Sequence, residues 1–173
     1  MSERGGVHLR DALGADLGAI HALNQANVPA VGDITPGDLE WYFERAACLR
    51  VAEIDGRVGG FLLGLRPGLD YASVNYAWFS RRYRDFFYID RVAVARAWRR
   101  RGVGRALYRD ALARARAAAA PLLACEVNLR PRNEDSLAFH EAHGFEAVGE
   151  QETDAGRKRV VMLVRSLAIP SAD

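Results

Sequence analysis

Apolar positions recur at two spacings along this chain, and the switches between them predict its elements. Residues 7–10 form a short extended segment. Between Asp16 and Leu23, the residues Leu17, Ile20 and Leu23 fall at helical spacing, and Pro29 within 27–32 ends that helix. Thr35-Pro36-Gly37-Asp38 reads as a second helix start, with Leu39, Tyr42 and Phe43 on its apolar side. Apolar runs at 49–53 and 58–65 flank Asp55-Gly56, a hairpin signal. Over 67–84 the period dissolves among Tyr71, Tyr76, Trp78, Phe79 and Tyr83, which predicts a loop or a short irregular helix. Residues 86–95 read as a buried strand. The longest helical pattern is 102–119, with Val103, Leu107 and Leu112 inward, Arg105, Arg109 and Arg116 outward, and Pro121 as its stop. A strand at 122–127, a short helix at 135–142, and strands at 145–150 and 160–167 around Ala155-Gly156 complete the chain. The order β-α-α-β-β-β-α-β-α-β-β predicts a mixed α/β layer fold.

A length of 173 residues suits one domain over 1–173 with a sizeable core. The formal net charge is only +2, which does not point to a nucleic-acid partner. The cations are unusual in kind: Lys158 is the only lysine, and the rest are arginines. A guanidinium offers a planar fork suited to phosphate and carboxylate oxygens, so arginine clustering becomes the feature to follow. Cys48 and Cys125 sit in separate apolar runs and are expected as buried, reduced thiols of a cytoplasmic protein. The stretch from Met1 to Gly6 lacks the apolar segment of a signal peptide, and no apolar run approaches bilayer length. No membrane partner is expected.

The arginines cluster where the buried strand turns into the long helix, at Arg99-Arg100-Arg101-Gly102-Val103-Gly104, with Arg96 and Arg105 beside them. Free amides at a helix start, the helix dipole and two glycines that let backbone approach a ligand describe a diphosphate site. The dinucleotide fingerprint needs a third glycine and a later acidic residue, and the P-loop needs Gly-Lys-Ser/Thr; neither pattern is met. An RNA-contact patch would interleave stacking aromatics with the cations, and only Trp98 qualifies.

These residues resemble the GNAT (GCN5-related N-acetyltransferase) superfamily. Arg99-x-x-Gly102-x-Gly104 meets its Gln/Arg-x-x-Gly-x-Gly/Ala signature, and Val92-Ala93-Val94 looks like its fourth-strand Val-x-Val. The run Asn133-x-x-Ser136-x-x-Phe139-His140-x-x-x-Gly144-Phe145 is similar to its later helix-and-strand motif, with His140 where a tyrosine is commonest. The resemblance implies a mostly antiparallel central sheet of six to seven strands flanked by helices. It implies an N-acetyltransferase that takes acetyl-CoA as co-substrate, needs no metal, and passes the acetyl group directly to an amine in a ternary complex. Val92, Ala93 and Val94 would face the pantetheine and thioester. Arg99, Arg100, Arg101, Gly102, Val103, Gly104 and Arg105 would hold the pyrophosphate, and Asn133, Ser136 and His140 would contact the cofactor from the other side. Strand amides near a thioester carbonyl can stabilise the oxyanion of acyl transfer. A homodimer is the family-level expectation.

Amine attack needs a neutral amine, and a departing thiolate benefits from a proton. Glu126 stands where several members of the family carry a glutamate base, and His140 stands where the acid would be; Asp90 is a second base candidate. Each has a plainer reading: an arginine-paired carboxylate for Glu126 or Asp90, helix packing for His140. Tyr88, Asp90 and Arg130 are expected on the acceptor side, where Arg130 and Arg132 could meet an acceptor carboxylate or a CoA phosphate. His140-x-x-His143 lacks a third ligand for a metal. A small-molecule or amino-acid-like amine is the expected acceptor. The alternatives are a protein or peptide N-acetyltransferase and a catalytically silent module that binds acyl-CoA.

Overall fold

The computed structural model describes residues 6–167; residues 1–5, which hold most of the stretch read for a signal peptide, lie outside that range. The strands are β1 (His8–Asp11), β2 (Cys48–Ile54), β3 (Arg57–Leu65), β4 (Phe87–Val94), β5 (Leu122–Arg130), β6 (Glu146–Thr153) and β7 (Lys158–Ser166). The helices are α1 (Leu17–Gln25), α2 (Pro36–Arg45), α3 (Val74–Arg82), α4 (Val103–Ala117) and α5 (Glu134–Ala142). The strands form one seven-stranded sheet in the order β1-β2-β3-β4-β5-β7-β6. Ladders β1–β2, β2–β3, β5–β7 and β6–β7 are antiparallel, and β4 pairs with β5 in parallel at Phe87–Leu123 and Tyr88–Ala124. The mostly antiparallel sheet flanked by helices is the architecture expected above.

Local chemistry accounts for several elements directly. Thr35 caps α2 by accepting from the Asp38 amide, while the Asp38 carboxylate accepts from the Thr35 amide, a reciprocal box with Pro36 at the first helical position. Asp55 and Gly56 both take positive φ, 50° and 72°, between the paired Ile54 and Arg57, as a two-residue hairpin requires.

The chain divides into two compact units. The first comprises Met1–Leu65 with Ile89–Ala113, and the second Arg66–Tyr88 with Arg114–Asp173. In the first, Val103, Leu107 and Ala111 form the buried stripe of α4. A Cβ on Gly60 of β3 would lie 3.1 Å from Val103 Cγ1 and 3.2 Å from the Ala93 carbonyl oxygen, so this glycine permits the close approach of helix to sheet. In the second unit the rings of Tyr76, Phe79, Phe86 and Tyr88 pack edge-on or tilted, with centroids 5.6–6.3 Å apart.

Four expectations change. Residues 74–82 are a regular helix, capped by the Ser73 side chain and burying Tyr76, Trp78 and Phe79; the arginines and Ser80 of its outer face disguise the period. Phe43 is 40% exposed, because the buried stripe of α2 is only Leu39 and Tyr42. Leu112 is half-buried, since the inward line of α4 follows the four-residue step 103-107-111-115 and uses two alanines. β5 also runs three residues past 127, to Arg130.

Candidate functional site

In the first unit, β4 passes through a 3-10 turn, Arg96–Trp98, into Arg99–Gly102 and then α4. Arg100 and Gly102 take left-handed φ values of 60° and 82°, which fold the backbone back at the helix start. Val103 is buried and anchors that start, whereas Gly102 is exposed and Gly104 half-buried. A Cβ built on Gly102 or Gly104 would meet nothing within 4 Å. Backbone amides beside open space at a helix N-terminus suit an anion, so the residues present fit a diphosphate.

The arginines around the turn have different duties. Arg96, Arg100, Arg101 and Arg105 are exposed. Arg101 stands over the Trp98 ring at 5.2 Å, and Trp98 packs where a Gly59 side chain would go, 3.3 Å from the built Cβ. Arg99 turns back, donating to Asn27 Oδ1 at 2.7 Å and to the Val94 carbonyl at 3.3 Å. It ties the turn to the residues after α1. Ala93 is buried, and Val92 and Val94 are half-buried.

Asp90 carries an intimate ion pair with its neighbour, Arg91 Nε to Asp90 Oδ2 at 2.7 Å, with the two side chains only 9% and 3% exposed. Arg91 also donates to Asn24 Oδ1 and the Gly32 carbonyl, each at 3.0 Å, and lies over the Tyr42 ring. The arginine-paired reading of Asp90 is thus what the geometry displays. Asn24, fully buried and unnoticed in the sequence, is the polar hub of the connection after α1.

In the second unit, Glu126 of β5 sits in a set of directed hydrogen bonds. The Tyr88 hydroxyl donates to Oε1 at 2.9 Å and Oε2 at 2.8 Å, and Asn75 Nδ2 donates to Oε1 at 3.2 Å. Asn75 Oδ1 in turn accepts from Gln151 Nε2 at 2.9 Å. In the contacts from Tyr88 and Asn75, Glu126 is the acceptor. Glu126 itself is half-buried, while Tyr88 is fully buried against Tyr76. Tyr88 therefore meets Glu126 rather than lining an open surface. Burial, reinforced by Glu126, pushes the neighbouring Cys125 thiol well above its usual range. Asn75 and Gln151 were missed in the sequence. They are linked across 76 positions, and Asn75 lies in the stretch whose helix was hidden.

Asn133 caps α5, its Oδ1 accepting from the Ser136 amide at 3.2 Å. His140 is 5% exposed; its Nδ1 lies 2.7 Å from the Ser136 carbonyl and 3.3 Å from Ser136 Oγ, and its ring meets Phe139 and Phe145 edge-on. Bonding to a carbonyl fixes the proton on Nδ1. Burial holds His140 below the ordinary histidine range, so the ring is neutral near pH 7. His143 stacks on Phe139 at 4.0 Å and bonds the Phe139 carbonyl. Arg130 Nη2 donates to the Gly156 carbonyl at 2.6 Å and pairs with Glu152, and Arg132 pairs with Glu134. Among the described residues no group of three or more metal-ligating side chains gathers, and no helix is long and apolar enough to cross a membrane.

Comparison with known proteins gives this geometry a context. The chain resembles, at 26% identity and a TM-score of 0.71, the crystal structure of a candidate phosphinothricin N-acetyltransferase, with 95% of this chain and 100% of that one covered. The ribosomal-protein-S18-alanine N-acetyltransferase of Escherichia coli is 16% identical with a TM-score of 0.72, covering 97% and 99%. A candidate acetyltransferase of Salmonella typhimurium, yncA, solved with its cofactor acetyl-CoA, is 20% identical with a TM-score of 0.71, covering 96% of each chain. No curated protein matches by sequence. The model of the acetyltransferase (GNAT) family matches residues 18–145, a span that holds β4, the arginine–glycine turn, α4, Glu126 and α5. The chain belongs to the acetyltransferase (GNAT) family and is an acetyltransferase.

Proposed function

We propose that the protein transfers an acetyl group from acetyl-CoA to the amine of a small-molecule or amino-acid-like acceptor, by direct attack in a ternary complex and without a metal. The observation that carries the cofactor assignment is the turn at Arg99–Gly104. Left-handed residues bend it, cations surround it, and open space stands over both glycines. The amides of Arg100 to Arg105 hold the pyrophosphate in this reading, assisted by the exposed Arg100, Arg101 and Arg105. Arg99 acts indirectly, bracing the turn through Asn27. The amides of Val92 and Val94, on either side of the buried Ala93, serve the pantetheine and the acyl carbonyl. Asn133, Ser136 and His140 form the remaining cofactor contacts. When bound, acetyl-CoA supplies an acyl thioester activated toward amines.

Glu126 is the general base in this reading. Tyr88 and Asn75 present donors to it, which favours the ionised form able to take a proton from an ammonium acceptor. His140, proposed from its position as the acid, is better suited to shaping α5. A neutral ring with its proton on Nδ1 does not donate from Nε2. Asp90, held by Arg91, positions the connection after α1 instead of acting as base. Arg130 stays on the acceptor side in this reading, whereas the buried Tyr88 acts through Glu126.

A small acceptor is in keeping with the likeness, at 26% identity, to a candidate phosphinothricin N-acetyltransferase. The ribosomal-protein enzyme, at 16% identity, shares the fold alone. Residues 1–173 act as one acyltransferase domain in this reading. Two buried free cysteines suit a reducing cytoplasm, and a homodimer is the proposed assembly. The test is thiol release from acetyl-CoA across a panel of small primary amines, free amino acids and amino-terminal peptides. Turnover is expected with small amines or amino acids. Turnover confined to peptides, or CoA binding with no turnover on any acceptor, would refute the acceptor assignment.

A further inference from the structure

We propose that Asn75 and Gln151 are positioning residues for the Glu126 carboxylate, and that Gln151 acts only through Asn75. The proposal deepens the assignment of Glu126 as base and rests on it. An asparagine amide can present either its NH2 or its carbonyl to a neighbour, and the two choices have opposite effects on a carboxylate. Gln151 Nε2 donates to Asn75 Oδ1 at 2.9 Å, which occupies the Asn75 carbonyl and turns Nδ2 toward Glu126 Oε1 at 3.2 Å. With the amide reversed, a carbonyl oxygen would stand against a carboxylate oxygen. Gln151 of β6 therefore decides which face of Asn75 the base encounters, although it makes no hydrogen bond to Glu126 itself in this chain of donors.

The elements that carry the two amides are locked together. A Cβ on Gly149 would stand 2.6 Å from Trp78 Cζ2, so the indole of α3 lies directly on the β6 backbone. The Arg82 guanidinium lies over the same ring, 3.7 Å from its centroid. This packing sets the height of α3 over β6 and hence the span between Asn75 and Gln151. The Tyr88 hydroxyl of β4 and the Cys125 thiol of β5 are titratable groups beside Glu126. From α3 it meets the neutral Asn75, and its register partner on β7 is Met162.

The test follows the Glu126 carboxyl directly, without an acceptor. Full-length protein labelled with 13C-glutamate is titrated, and the Glu126 signal is identified by its loss in Glu126→Gln. Asn75→Leu removes the donor and is expected to raise the titration midpoint by about one pH unit. Gln151→Glu, which demands a donor from Asn75 and reverses its amide, should raise the midpoint in the same direction, and in the Asn75→Leu background only the smaller, through-space effect of the added charge should remain. Gln151→Met keeps the volume and is expected to give a smaller upward shift, which holds the test open if Asn75→Leu fails to fold. An unmoved midpoint in the folded variants, or an equal effect of Gln151→Glu with and without Asn75, would overturn the proposal. Failure of the base assignment is separately visible as an unchanged pH profile of thiol release in Glu126→Gln.

Discussion

At the scale of single residues, the chemistry turns on how each ionisable side chain is held. Glu126 accepts from two donors, and its replacement by glutamine keeps the shape while removing the proton acceptor. Glu126→Gln should slow turnover about 100-fold, most severely at low pH where free amine is scarce, in a pH–rate series with a reactive amine. A profile parallel to wild type would remove Glu126 from the proton path. Tyr88→Phe deletes the hydroxyl that bonds both carboxylate oxygens and should cost about tenfold in turnover, since bonds to charged groups are the stronger ones. His140 makes a different prediction. Its folded-state value is depressed by burial, so the unfolded chain binds the proton more tightly and stability falls as pH drops below the ordinary histidine range. Denaturant melts of wild type and His140→Phe between pH 7 and pH 5 should show an acid-side loss of stability in the wild type that the variant lacks. Equal slopes would mean that His140 does not titrate against the fold. Glu126 and His140 were singled out by the family resemblance of the segments around them. Their states were not legible, because Tyr88, Asn75 and the Ser136 carbonyl reach them only through the tertiary fold.

At the scale of elements, the sequence was readable wherever one local rule sufficed. The Thr35–Asp38 box, the Asp55-Gly56 turn and the four-residue step of α4 follow from neighbours in the chain. Thr35→Ala should accordingly lower stability by about 1 kcal/mol in a urea melt; no change would show the cap to be redundant. α3 was not readable in this way. Its buried face is built from aromatics whose partners lie on β6 and β4, and its outer face is cationic. The clearest sign of its packing is a glycine: Gly149→Ala would force the Trp78 indole to move, with an expected loss of roughly 1–3 kcal/mol. The same variant should loosen the Asn75–Gln151 contact and lower turnover. Retained stability together with full activity would argue that α3 is free to shift without consequence.

At the scale of the whole molecule, the order of elements and motifs along the chain matches the seven-stranded, mostly antiparallel sheet that the family resemblance implied. The arginine–glycine turn lies in the first unit, and Glu126 with its hydrogen-bond donors lies in the second. Which of the five arginines around the turn are available to a ligand was hidden in the sequence. Arg99 is committed to Asn27 and Val94, a choice fixed by a partner 72 positions away. The glycines test the cofactor assignment unequally. Gly102 has a left-handed φ, so any side chain there strains the backbone, whereas Gly104 faces open space without that strain. The most direct measurement is therefore calorimetric titration of coenzyme A into the wild-type protein and into Gly104→Glu, with thermal melts to establish that the variant is folded. Saturable binding to the wild type and loss of binding in a folded Gly104→Glu is the expected result. Coenzyme A ignored by the wild type, or bound equally by the variant, would contradict the account.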